Sequence, residues 1–187
     1  RHFEPQESWL TQNDFAALAQ CMQEINGLAF YNGGQNAGAS QGHKHLQLVP
    51  LPLSLNHRHA VPLEALIDDS IETGKLTGLS FTHAISSLEL DWSLPFETLA
   101  MDLHQQYLHL YQSAGLPTGD QPQPYNLLLT RRWMLLVPRS QESYAGISVN
   151  ALGFAGSLFV RNREQLEQLK AMGPMAILEQ VAYPKPV

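Results

Sequence analysis

The sequence predicts an α+β domain with a mainly antiparallel sheet and packed helices. Three observations lead there. Apolar runs of strand length, such as residues 127–129 and 134–137, alternate with segments of helical periodicity. Few connections between them could hold the crossovers that parallel strands require. A chain of 187 residues, 44% hydrophobic, can bury one core, so a single domain over 1–187 is expected.

Taken in order, Thr11 caps a first helix with Asp14 near its positive end, and Phe15, Leu18, Met22 and Ile25 follow at helical spacing before Gly27. Residues 28–31 form a short strand, 32–42 a loop with four glycines, and 43–49 an alternating strand that Pro50 and Pro52 end. A helix over 62–72 and a strand over 80–88 come next. Ser93 then caps a long helix to Ser113, with Phe96, Leu99, Leu103, Tyr107 and Leu110 on one face. A connector rich in Pro, Gly and Gln leads to strands over 125–130 and 132–137. A strand over 158–160 follows, then a helix opened by the capping box Asn162-x-x-Gln165, and Gly173-Pro174 separates it from a last short helix. The phrases Leu48-Val49-Pro50 and Leu136-Val137-Pro138 hint at a pseudo-repeat.

Composition limits the function. No apolar run approaches the ~20 residues that cross a bilayer, so no membrane partner is expected. The net charge of −6 argues against a protein that coats nucleic acid, though a few local donors can still hold a small phosphate ligand. The lone Cys21 rules out an internal disulfide, which fits a cytoplasmic setting, and its place in an apolar helical pattern predicts burial. The chain opens on Arg1-His2-Phe3 without an initiator Met, so residues upstream are expected to be missing from this numbering.

The chemistry concentrates at residues 32–47. On a strand, His43, His45 and Gln47 share a face, while Lys44, Leu46 and Leu48 point away. The preceding Asn36-Ala37-Gly38-Ala39-Ser40-Gln41-Gly42 can bring backbone N–H groups close to an anion, with Ser40 and Gln41 adding side-chain donors. A neutral imidazole with one nitrogen anchored can attack phosphorus through the other, and Gln47 and the loop could hold the developing charge. A His-x-His pair is equally a metal half-site or a solvated strand face. Leu48 to Pro52 supply no further ligand, so no structural metal is expected. His57-x-His59 reads as a surface turn, Asp68, Asp69 and Glu72 as a solvated helix face, and His83 as structural.

These residues, from Tyr31-Asn32 to Gly42-His43-Lys44-His45-Leu46-Gln47, resemble the active-site segment of the diadenosine tetraphosphate phosphorylases, or ATP adenylyltransferases. That family lies in the transferase branch of the histidine-triad superfamily, alongside galactose-1-phosphate uridylyltransferase. Tyr125-Asn126-Leu127-Leu128-Leu129-Thr130, Trp133-Met134-Leu135-Leu136-Val137-Pro138-Arg139 and Ser148-Val149-Asn150-Ala151-Leu152-Gly153-Phe154-Ala155-Gly156 are similar to the same family. The resemblance implies a histidine-triad-like fold. His45 would be the adenylylated nucleophile, His43 its anchor through the main-chain carbonyl, and Gln47 the α-phosphate ligand. Asn32, Gly38, Ala39, Ser40 and Gln41 would contact the nucleotide, Asn150, Ala151 and Leu152 would line the site, and Arg161 would reach the polyphosphate where the family often has Lys. The implied reaction converts diadenosine tetraphosphate and phosphate to ATP and ADP, with a divalent cation, Mg or Mn, carried by the polyphosphate. A hydrolase, or a metal-binding or nucleotide-sensing module without turnover, are the alternatives. Oligomeric state is left open.

Overall fold

A computed structural model describes residues 3–55, 58–67 and 76–185. The first helix, α1 (Gln12–Glu24), starts as its sequence requires. Thr11 and Asp14 close a reciprocal capping box, and Phe15, Leu18, Ala19 and Met22 form the buried stripe. Two expectations fail here. Ile25 lies beyond the last turn and is 41% exposed, and Cys21 is exposed on the shoulder of the stripe rather than buried.

Five strands form one sheet in the order β2-β1-β4-β5-β3. They are β1 (Gly27–Gly33), β2 (Gln47–Pro50), β3 (Ala84–Ser87), β4 (Tyr125–Leu129) and β5 (Trp133–Pro138). Every pairing is antiparallel, which bears out the α+β reading. β1, β4 and β5 are buried throughout, as near-continuous apolar strands between two covered faces should be. On one face, α1 and α3 (Phe96–Ser113) cover Ala29, Tyr31, Leu127 and Leu129. On the other, α4 (Ala151–Phe154) and α6 (Pro174–Val181) cover Leu28, Phe30, Leu128 and Leu135. The remaining elements are α2 (Glu64–Ile67), the two-residue strands β6 (Ser143–Tyr144) and β7 (Ile147–Ser148), and α5 (Arg163–Met172).

Other departures have identifiable causes. The ladder of β2 begins at Gln47, not His43, because the N-terminal segment captures the backbone before it: Gln6 N–H donates to Gly42 O (3.0 Å) and Lys44 N–H to Glu4 O (2.7 Å). Ser93 does not cap α3. It is held in a local turn by Asp91 Oδ1, and Pro95 occupies the cap position. Only half of the second capping box forms. Asn162 Oδ1 accepts from Gln165 N–H, but the Gln165 side chain accepts from Arg161 N–H and donates to Gly146 O. Residues 158–160 make no ladder. β3 is shorter than expected, because its start is tied to the C-terminal segment through Phe81 and Pro184. The helix expected over 62–72 is seen as α2, while Asp68, Asp69, Glu72 and His57 lie outside the described residues. His83 is structural: Leu76 N–H donates to its Nε2, and its Nδ1 faces Phe81 O.

Candidate active site

The end of β1 is followed at once by a tight loop. Gly34 caps a 3-10 turn (Gln35–Ala37), and Gly38 ends it at φ +83°. Glycine is required at 38 twice over: for that φ, and because a Cβ would lie 2.6 Å from Val149 O. The close approach locks the loop against the segment leading into α4, so the two motifs that stand far apart in sequence become one wall.

Polar side chains buried behind this wall set its shape. Asn32 Oδ1 accepts from Asn126 Nδ2 (2.9 Å) and from Ala151 N–H (2.9 Å). With that oxygen doubly occupied, the Nδ2 of Asn32 is the group left to face the cavity. Asn126 Nδ2 also donates to Ala37 O, and Asn126 Oδ1 accepts from Arg139. Arg139 is fully buried and donates further to Ala37 O, Val149 O, Val181 O, Gln141 O and Glu142 O, with its guanidinium 5.3 Å from the centre of the Phe154 ring. Burial pushes its pKa down to about 10, partly opposed by Glu142.

A cavity of about 370 Å³ opens in front of the wall, lined by Asn32, Gly38, Ser40, Gln47, Asn150 and Arg161 among others. These six sequence-predicted residues are brought together. Four others contribute differently. The N–H groups of Gly38 and Ala39 close the turn onto Gln35 O and Gly34 O, those of Ala151 and Leu152 are taken by Asn32 and Asn150, and so the hydroxyl of Ser40 and the side chain of exposed Gln41 are the loop's candidate donors. Arg161 is exposed at the rim.

His43 and His45 line a second, larger trough of about 740 Å³ between α1 and the open edge of β2. Gln47 lines both cavities. The rings of His43 and His45 lie 5.6 Å apart. His45 Nδ1 is 3.0 Å from His43 O and 3.0 Å from Gln6 Oε1. Lys44 lines the same trough, where its ammonium is bonded to Glu4, Trp9 O and Asp14. Burial opposes its charge, but the bonds to Glu4 and Asp14 outweigh burial and raise its pKa. Among the described residues, no group of three or more His, Cys, Asp or Glu is placed to hold a metal, and no helix is long and apolar enough to cross a membrane.

Three residues of this site escaped sequence reasoning. Asn126 and Arg139 had been noted only as parts of a motif, and Gln6 not at all. The first two did carry a signal: an amide or a guanidinium set into a run that is otherwise buried must be satisfied internally.

Residues 77–184 match the family model of the ATP adenylyltransferase C-terminal domain, and residues 1–69 that of the Ap4A phosphorylase N-terminal domain. The chain is 30% identical over 197 aligned positions to diadenosine 5',5'''-P1,P4-tetraphosphate phosphorylase 2 of Saccharomyces cerevisiae, covering 89% of this chain but 58% of the relative. It is 27% identical to Protein APA1 of the same yeast, covering 76% of this chain and 47% of that one. The crystal structure of yeast Ap4A phosphorylase Apa2 superposes with a TM-score of 0.75 at 24% identity, over all of this chain and 67% of the other. The same enzyme in complex with AMP gives 0.73 at 27%, over 100% and 68%. The chain thus spans little more than half the length of the first of these curated relatives, and it belongs to the ATP adenylyltransferase family.

Proposed function

We propose that this protein cleaves diadenosine tetraphosphate with phosphate, giving ATP and ADP, through an AMP bound covalently to His45, and that residues 1–187 act as one histidine-triad-like unit. The observation that carries this reading is the anchoring of His45. Its Nδ1 is held 3.0 Å from His43 O, and His45 lines the trough. The sheet supports the single unit, since β1 and β2 come from one matched region and β3, β4 and β5 from the other. Solved structures of the similar yeast enzyme are described as complexes with Ap4A and with AMP.

In the first step, the Nε2 lone pair of His45 attacks the α-phosphorus. The N–P bond forms, the bond from that phosphorus to the bridging oxygen breaks, and ATP leaves with the electron pair. In the second, a phosphate oxygen attacks the same phosphorus, the N–P bond breaks and ADP forms. Gln47, with Asn32 and Ser40, supplies fixed donors to the phosphoryl oxygens, and Arg161 offers charge at the rim to the rest of the polyphosphate. A polyphosphate leaving group departs without a proton, so an amide at 47 suffices. The cavity lined by Asn32, Ser40, Gln47, Asn150 and Arg161 offers a metal only neutral oxygens, so Mg or Mn enters as part of the polyphosphate substrate.

Product analysis tests the reaction type. With phosphate present, ATP and ADP in equal amounts and no AMP are expected. AMP formed whether or not phosphate is supplied would identify a hydrolase instead.

A further inference from the structure

The amide of Gln6 lies directly behind the imidazole on which the proposed function depends. It is only 1% exposed and spans three parts of the site. Its Nε2 donates to Asn32 O at 2.7 Å, and its Oε1 accepts from His45 N–H at 2.9 Å and lies 3.0 Å from His45 Nδ1. Its own backbone is fixed as well, with N–H bonded to Gly42 O and the carbonyl accepting from Tyr31 OH.

Hydrogen-bond chemistry settles the orientation of this amide. Asn32 O can only accept and His45 N–H can only donate, so the NH₂ must face Asn32 and the oxygen must face His45. His45 Nδ1 therefore meets two acceptors, Gln6 Oε1 and His43 O, and no donor. A bare lone pair there would face two oxygens, so Nδ1 carries the proton and Nε2 presents the lone pair. Once Nε2 is bonded to phosphorus the ring gains positive charge, and an N–H···O bond from a charged ring is stronger than one from a neutral ring. Contact with Gln6 therefore tightens during the reaction.

We infer that Gln6 is a positioning residue that fixes His45 in the Nδ1-protonated tautomer and supports the charge the ring acquires, sharing that task with the His43 carbonyl. This rests on the reading of His45 as nucleophile, but its first test needs no turnover. Nitrogen-15 NMR of the neutral His45 ring in the unmodified protein should show a protonated Nδ1 and an unprotonated Nε2. A proton on Nε2 overturns the inference. Gln6→Met keeps the length and removes the acceptor; it should admit the second tautomer and lower kcat about tenfold while KM for diadenosine tetraphosphate changes by about twofold or less. An unchanged tautomer together with an unchanged kcat overturns the inference.

Should Gln6→Met not fold, Gln6→Glu answers the same question. It keeps the acceptor toward His45 while replacing the donor to Asn32 O with a second oxygen that carries negative charge when ionised, so the His45 ring should keep its proton on Nδ1. A shift to the other tautomer would contradict the inference. The tautomer as inferred in a protein that forms no AMP adduct would defeat the proposed reaction and leave the role of Gln6 intact.

Discussion

Replacing Arg139 by Met should cost about 2–4 kcal/mol of folding stability, a large share of the roughly 5–15 kcal/mol that holds a domain together. Methionine roughly fills the volume but leaves the partners behind. Val149 O and Asn126 Oδ1 lose their donor inside the wall of the cradle, whereas Ala37 O keeps Asn126 Nδ2 and Val181 O keeps Ser140 N–H, and Gln141 O and Glu142 O lie nearer solvent and can turn to water. A buried acceptor left unpaired costs about 1–3 kcal/mol, so the two orphaned ones, with the weakened bonds at the others, set the scale. Against this, the variant no longer buries a charge for which no carboxylate lies at ion-pair distance among the described residues, which returns a few kcal/mol. Arg139→Lys keeps the charge but not the fork, and should fall between the variant and the wild type. Urea unfolding at constant pH measures both. Arg139→Met within about 1 kcal/mol of the wild type would refute the view that this guanidinium organises the cradle.

Three further outcomes are expected. Gly38→Ala should destabilise by about 1–3 kcal/mol and weaken nucleotide binding, because the methyl is strained at φ +83° and meets Val149 O; equal stability by urea titration would show that the loop yields freely. Gln47→Ala should lose about 2–4 kcal/mol of transition-state stabilisation, read as kcat/KM, and an unchanged rate would remove Gln47 from the mechanism. Burial raises the pKa of Tyr31, Tyr107 and Tyr125 above 10.0, so below that pH their contribution is complete and above it the unfolded chain alone ionises. Arg139, lowered to about 10, works in the opposite sense but is one group against three. Stability should therefore fall as pH rises past 10, by about 2–3 kcal/mol per unit, before the phenolate absorbance of these three buried tyrosines appears in the folded protein. A flat profile across that range would contradict the burial argument.

What the sequence made legible was local. The capping box at Thr11 and Asp14, the stripe Leu99, Leu103, Tyr107 and Leu110, and the antiparallel pairing of 125–129 with 133–138 rest on periodicity and near neighbours, and all are present. The failures involve partners, distant or close, that hydrophobic periodicity does not report. Residues 43–46 leave the ladder because Glu4 and Gln6, some 40 positions earlier, take their backbone groups, as 39 residues separate Gln6 from His45. Ser93 lost its capping role to a turn with Asp91 that no periodicity reveals. Within the site, alternation alone singled out the group His43, His45 and Gln47. Its support from Gln6, Asn126 and Arg139 could not, because those bonds exist only once β1, β4 and the N-terminal segment have come together.

The central claim is that His45 forms the bond to phosphorus. Incubation with diadenosine tetraphosphate in the absence of phosphate, followed by quenching and peptide mapping, tests it directly. AMP is expected on the peptide containing His45, attached through the ring, discharged as ADP when phosphate is added, and missing in His45→Ala. AMP on any other residue, or an active wild type that never carries an adduct, would contradict it.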